Sequence, residues 1–299
     1  NFPNTVLVVS HDRHFLNKVC TYTADIDHRQ VKMYVGNYDF WLKSSQLALE
    51  QQRDSNKKKE DKIADLKAFI QRFSSNASKA RQATSRKKML DKLTIEEFVP
   101  SSRKYPYIVF KPEREAGKDI LNVENLTYVH EGETLLNNVN FRIHKGEKVV
   151  FVSENASAIS HLFSILAGET KASSGTYQWG LTITHSYFPK EYDDYFQVDL
   201  NLVQWLRQWS KPGFDDDNYL RGFLGRMLFS GEEAMKKASV LSGGEKVRCM
   251  LSRMMMTGAN VLVLDEPTNH LDLEGITALN DGLTQFPGTI LFTTHDHEL

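Results

Sequence analysis

Ser242-Gly243-Gly244-Glu245 and, twenty residues on, Asp265-Glu266 are the residues of this chain whose types and spacing could do chemistry. A hydroxyl and two glycines at the start of a helix leave backbone N–H groups bare. Together with the helix dipole, those groups would face an anion such as a γ-phosphate. Two adjacent acids can divide what remains of a phosphate cleavage: one holds Mg2+ through water, the next orients the hydrolytic water. An imidazole, His295, closes a later apolar run.

The elements that must position these groups are readable around them. Val261-Leu262-Val263-Leu264 is too short for an isolated helix and suits a strand buried on both faces of a parallel sheet. The acids then stand at the carboxyl end of that strand, where open α/β sheets place their ligands. From Lys246 to about Met256 the residues are helix formers, so the Ser-Gly-Gly turn opens a helix.

In this order and at this spacing, the stretches resemble an ATP-binding-cassette (ABC) ATPase. Leu241–Glu245 is similar to that family's signature, Val261–Glu266 to its Walker B, Asn269–Asp272 to its D-loop and His295 to its switch histidine. The resemblance implies an α/β fold, a P-loop-type cassette with a mostly parallel core sheet and a helical subdomain. It also implies ATP and Mg2+ as cofactors, with Asp265 toward the metal, and Glu266 and His295 as catalytic groups. Ser242, Gly243, Gly244, Glu245 and Asp272 would contact nucleotide.

The chain also repeats itself. Thr5-Val6-Leu7-Val8-Val9-Ser10-His11-Asp12 reads as a buried strand leading into a helix, and Thr289-Ile290-Leu291-Phe292-Thr293-Thr294-His295-Asp296 says the same 284 positions later. The expectation is one period of a tandem array: the tail of a first cassette (residues 1–42), a linker (43–105) and most of a second cassette (106–299). Val35-Gly36-Asn37-Tyr38-Asp39-Phe40 resembles the turn that ends the first cassette in the ABC-F group, whose members carry two cassettes in one chain and no transmembrane partner. On that resemblance His11 belongs to the first cassette's ATP site, which the Ser242 turn would cap from the opposite side.

Residues from about Phe40 to Phe73, and again from about Lys79 to Leu93, are strongly helical. Ile63, Leu66, Ile70 and Phe73 form a narrow apolar seam, and Ser74-Ser75-Asn76 breaks the run, so an α-helical hairpin is expected. The net charge of −1 hides an asymmetry: residues 43–104 hold 16 Lys or Arg against 8 Asp or Glu. Such a rigid basic arm is either a solvated charged linker or a surface for phosphate backbones. ABC-F members use this linker to reach tRNA and rRNA in the ribosome, which would make Lys79, Arg81, Arg86, Lys87 and Lys88 the RNA contacts. Pro100 to Pro112 reads as a connector, with a new domain starting near Ile120. Tyr128 falls where the family stacks an aromatic on adenine; otherwise it is a surface aromatic on a strand.

One motif departs from the family. After the strand Val149–Val152 a P-loop should follow, but the chain has Ser153-Glu154-Asn155-Ala156-Ser157-Ala158-Ile159-Ser160-His161. Ser160 keeps the magnesium hydroxyl. Ser153 and Ala158 replace the glycines that let N–H groups wrap a phosphate, and Ile159 replaces the lysine that meets the β/γ oxygens. An aliphatic offers neither charge nor hydrogen bond, a loss of several kcal/mol by order of magnitude. Hydrolysis at this site is therefore not expected. Lys190, where the family has glutamine, either compensates in part or is simply solvated.

A 40% apolar content is ordinary for a globular protein, and no run approaches the ~18 apolar residues of a membrane helix. Cys20 and Cys249 form no CxxC, so neither a zinc site nor a disulfide framework is indicated, and a cytoplasmic setting without a membrane partner is expected. The competing readings are a transporter's ATPase subunit, a DNA-repair or chromosome-type ATPase and a nucleotide-independent scaffold. The first is disfavoured by the basic hairpin, the second by the absent zinc cysteines and long coiled coils.

Overall fold

A computed structural model describes residues 4–73, 80–92, 101–297 and 299, and divides the chain into two compact units. One comprises residues 14–103; the other comprises residues 104–299 with the segment that ends at Arg13.

The first unit starts inside helix α1 (Arg13–Val19), whose opening residue Arg13 belongs to the other unit, and continues to strands β1 (Tyr22–Asp27) and β2 (Gln30–Val35), paired antiparallel with Tyr22 opposite Val35. His28 and Arg29 both adopt positive φ, the geometry of a two-residue hairpin turn that matches strand twist. Helix α2 (Tyr38–Phe73) runs 36 residues without glycine or proline, and α3 (Ala80–Lys92) returns beside it. Of the expected seam, Leu66 is buried and Ile63 and Ile70 half-buried; the break at Ser74–Asn76 lies outside the described residues. Buried Asp25 accepts a hydrogen bond from Trp41 Nε1 (3.1 Å) and pairs with Arg103, so the strand pair is tied to the start of α2.

The second unit is built around the aliphatic run. In order, it contains β3 (Asp119–His130), β4 (Glu133–His144), β5 (Lys148–Val150), α4 (Ala156–Leu166), β6 (Ser174–Trp179) and β7 (His185–Phe188). Then come α5 (Leu202–Arg207), α6 (Asp217–Arg226), α7 (Gly243–Thr257), β8 (Val261–Asp265), α8 (Leu273–Gln285) and β9 (Thr289–Thr293). Four strands form a parallel sheet in the order β5-β9-β8-β7, and β4-β3-β6 form a separate antiparallel sheet. Every residue of β8 is buried. Its side chains alternate between two cores: Val261 and Val263 join α4 and the antiparallel sheet, while Leu262 and Leu264 join the helical part around Trp205, Phe196 and Met250. That two-sided burial is why the strand reads as an unbroken apolar run rather than an alternating one. Among the described residues no helix is long and apolar enough to cross a membrane.

Two expectations need correction. Thr5–Val9 is not a buried strand: it is irregular, with Leu7 and Val9 almost wholly exposed. A parallel strand is held by hydrogen bonds to neighbours, and no described strand pairs with this one. Nor is the stretch up to Pro112 only a connector. Ile108 and Phe110 are buried in the helical core, and Tyr107 N donates to Arg226 O at 2.7 Å, so the fold of this unit begins well before Ile120.

Candidate nucleotide site

At the carboxyl end of β8 the chain leaves the sheet through a strained turn: Glu266 has φ +52° and His270 φ +65°. Non-glycine residues take this region rarely and at a cost, and such strain collects at functional sites. The turn points the Glu266 carboxylate along the sheet edge, where it is 3% exposed. One of its oxygens accepts the His295 backbone N–H (3.2 Å), and the other lies 3.0 Å from His295 Nε2. The imidazole itself is open to solvent. A buried acid held against an exposed histidine at the end of the neighbouring strand, β9, puts a proton acceptor and an imidazole side by side, chemistry that can orient a water.

Asp265 precedes Glu266 on the strand. Burial raises its carboxyl above the ordinary aspartate value, with the Ser160 side chain and the positive charge of Lys190 offsetting part of that rise. Asp265 Oδ2 and Ser160 Oγ are both buried, and beyond the Ser160–Asp265 contact neither atom has another protein partner among the described residues. Two hard, buried oxygens from neighbouring elements, with no further protein partner there, fit a small oxygen-seeking cation such as Mg2+.

The loop from Ser153 to His161 lies between β5 and α4. Its turn satisfies its own donors: Asn155 N bonds Ser153 Oγ (3.1 Å), and Asn155 caps α4 by accepting from Ser157 N (3.0 Å). Amides that a phosphate-binding loop would present to a ligand are thus partly taken. Ser153, Glu154, Asn155 and Ser157 are exposed and Ala156 half-buried, while Ala158 and Ile159 face inward with Leu162, Phe163 and Val263. His161 turns outward; its Nδ1 lies 2.7 Å from Ser157 O and its ring stacks on Tyr128 at 5.0 Å, with His130 at 4.9 Å completing a three-ring cluster. Lys190 is half-buried at the end of β7.

The Ser242 turn lies on the far side of the Glu266–Asp272 turn. Ser242 N and Oγ both donate to Glu245 Oε2 (2.9 and 2.8 Å), and Lys236 Nζ reaches the other oxygen at 3.1 Å. Burial alone would raise the Glu245 carboxyl; these bonds outweigh it and hold the pKa below the usual glutamate range. Gly243 and Gly244 pack on His270: a Cβ at 243 would lie 3.1 Å from His270 Cγ, and one at 244 only 2.8 Å from His270 O. Asp272 caps α8, accepting from Gly275 N at 2.8 Å. His11 is exposed, and Arg13, two residues on, donates to Leu273 O (3.2 Å) and to Thr277 Oγ1 on α8. Sequence reasoning passed over Arg13. The available signal was the point where the repeat diverges, Asp12-Arg13 against Asp296-His297. On α3, Arg81, Lys87 and Lys88 are exposed, whereas the Arg86 guanidinium lies 3.4 Å over the Phe69 ring of α2; Lys79 falls outside the described residues.

The capping arrangement predicts a pH signature. Glu245→Gln costs about 1 kcal/mol at neutral pH, the usual value of a lost helix cap. Because the folded-state pKa is lowered, that stabilisation is present above the ordinary glutamate range and is lost as pH falls through the lowered value. Urea unfolding at neutral pH should therefore separate the two proteins, and the difference should shrink as the pH is taken down through the lowered value.

The parallel sheet, the helical part packed on it and the acids that close β8 give the fold of an ABC ATPase cassette. The family profile described as "ABC transporter" matches residues 136–269, and an extension profile of the same description matches residues 24–110. The chain is 60% identical, over its whole length, to the "Uncharacterized ABC transporter ATP-binding protein YkpA" of Bacillus subtilis, and spans 55% of it. It is 30% identical to "ABC transporter F family member 5" of Arabidopsis thaliana, covering 97% of this chain and 42% of that protein. Thus the chain spans about half the length of the curated relatives it matches. The fold matches the ADP- and Pi-bound dimeric cassette MJ0796 with TM-score 0.52 at 17% identity, over 59% of this chain and 88% of that one.

Proposed function

We propose that this chain is part of an ABC-F-type protein that acts on the ribosome as a translation factor, with ATP closing two cassettes and so moving a basic linker toward tRNA or rRNA. Residues 1–42 are the tail of the first cassette, 43–105 the linker and 106–299 the second cassette, and the whole works in the cytoplasm. The observation that carries this reading is the pairing, in one chain, of cassette chemistry with a basic helical hairpin whose Arg81, Lys87 and Lys88 point to solvent. Likeness to a protein named as an F family member supports it.

In the tandem arrangement each ATP lies between one cassette's phosphate loop and the other's signature. The Ser242-Gly243-Gly244 turn then caps the nucleotide of the first cassette, and His11 serves that same site. The second site combines Tyr128, the Ser153–His161 loop, Lys190, Asp265, Glu266 and His295. There Ser160 and Asp265 would hold Mg2+, whose charge neutralises phosphate oxygens when bound. Ile159 gives the phosphates no charge, and Asn155 occupies an amide they would need. Turnover therefore belongs to the first site, and the second binds nucleotide weakly or serves as structure.

Ribosome pelleting of the full-length protein, with and without ATP, tests the reading. Neutralising Lys79, Arg81, Arg86 and Lys87 together should weaken ATP-dependent binding by about tenfold or more and flatten its salt dependence, since each phosphate contact contributes roughly 0.7–0.9 to the log–log slope. Unchanged pelleting would show that the hairpin does not carry the RNA contact.

A further inference from the structure

The structure joins two groups that the proposed function places on one ATP but at opposite ends of the chain. His270 packs its ring and carbonyl against Gly243 and Gly244 at the signature turn. The chain then passes through buried Leu271 and capping Asp272 into the first turn of α8. There Leu273 O and Thr277 Oγ1 both accept from the Arg13 guanidinium, and the Thr277 hydroxyl itself donates to Leu273 O at 2.6 Å. Arg13 stands two residues after His11.

We propose that Arg13 is a positioning residue: it locks the His11 segment to the N-terminal turn of α8, so that the signature turn and His11 approach the same nucleotide in register. The inference rests on the reading that His11 and Ser242 serve one ATP site.

The chemistry of the contact favours this role over a purely structural one. Asp272 caps α8 by accepting from Gly275 N, and a guanidinium, which only donates, cannot serve as a helix N-cap. A cation at a helix N-terminus opposes the helix dipole, and Asp272 and Glu274 in the first turn offset it rather than require it. Guanidinium is planar and always charged, and its fork can bond a carbonyl and a hydroxyl at once; a lysine would supply the charge as a point without the fork. The tie also acts on an otherwise irregular segment, where Leu7 and Val9 are open to solvent and no strand pairing fixes the backbone. The Arg13 contact is a tie to α8 two residues from His11, and so bears directly on where His11 can stand. A displacement of about an ångström at a catalytic group is enough to cost a large factor in rate.

A double-mutant cycle on ATP turnover by the full-length protein tests it. Arg13→Ala should lower kcat about tenfold while KM for ATP stays within about twofold, because alignment in the transition state is lost and binding is not. Thr277→Val, a milder change on the α8 side, should lower kcat in the same sense. The double variant should be no slower than Arg13→Ala alone, and Arg13→Lys should restore part of the loss. Independent, multiplying effects would overturn the proposal, as would wild-type kcat in Arg13→Ala or a rise in KM with kcat unchanged. His11→Ala separates the inference from its foundation. If His11→Ala turns over normally, the shared-site reading and this inference both fall. If it is inactive while Arg13→Ala is fully active, only the link fails. Thermal melts of each variant must match the wild type, and Thr277→Val keeps the test decisive if Arg13→Ala does not fold.

Discussion

On the proposed function, Gly244→Val in the full-length protein should lower ATP turnover by about a hundredfold, the scale expected when a catalytic group is displaced by around an ångström. The space for a side chain at 244 is filled by the His270 carbonyl oxygen, which would lie 2.8 Å from the new Cβ. Backbone on both sides has to yield, since His270 sits in a positive-φ turn between buried Thr268 and buried Leu271. The start of α7 would therefore separate from the turn that follows Glu266. Ser242 would lose its register toward the nucleotide, although its bonds to Glu245 can survive. Glu266→Gln makes the opposite test. If the site at the end of β8 does not hydrolyse ATP, this change leaves turnover within about twofold, even though it removes the carboxylate that faces His295. A large loss in Glu266→Gln would mean that the second site is catalytic. Steady-state phosphate release from both variants gives the answer.

How much of this was legible in the sequence differs from one residue to the next, for physical reasons. β8 was readable because a strand buried on both faces has to be apolar throughout, and α7 because glycine, serine and glutamate mark a capped helix start. The same local rule misread Thr5–Val9, since an aliphatic run states that a strand could be buried and says nothing about whether a neighbour is there to pair with it. Ile108 and Phe110 escaped notice because two apolar residues in a Pro-bearing stretch have no periodicity; their burial comes from the α8 side and from Phe286, far along the chain. That the Ser153–His161 loop lacks the glycines and the lysine of a P-loop was visible from residue types alone. That Asn155 caps the helix and spends an amide there was not, because a cap is a matter of φ, ψ and distance. The Arg13 contact spans 260 residues and could not be read from spacing. Arg86 looked like one more charge in a basic arm, yet it lies over Phe69, so its charge is partly committed to holding the hairpin together.

Restoring the missing lysine should fail as a single change. Ile159 is 7% exposed on the inward face of α4, among Leu162, Phe163, Val263 and Leu291. Ile159→Lys in this chain removes that packing and brings an ammonium to the edge of an apolar cluster, for an expected loss of about 3 kcal/mol in unfolding free energy. Asp265 offers a counter-charge, which keeps the loss from being larger, but its neighbour Lys190 already acts on that carboxylate. Mg-ATP should recover little of the loss, because affinity for a folded state adds stability only as ligand concentration exceeds Kd. With side chains at Ser153 and Ala158, and with Ser157 N already donating to Asn155 Oδ1, the proposed reading expects the backbone not to wrap a phosphate. Adding Ser153→Gly and Ala158→Gly should change the result, giving a melting temperature that climbs with Mg-ATP. Thermal melts of the single and triple variants across an ATP series distinguish the two cases. A climb in Ile159→Lys alone would show that the loop's backbone already suits a triphosphate and that only the charge had been lost. The departure from the motif would then be a matter of one side chain, whereas the proposed reading makes it a property of the whole turn around Asn155.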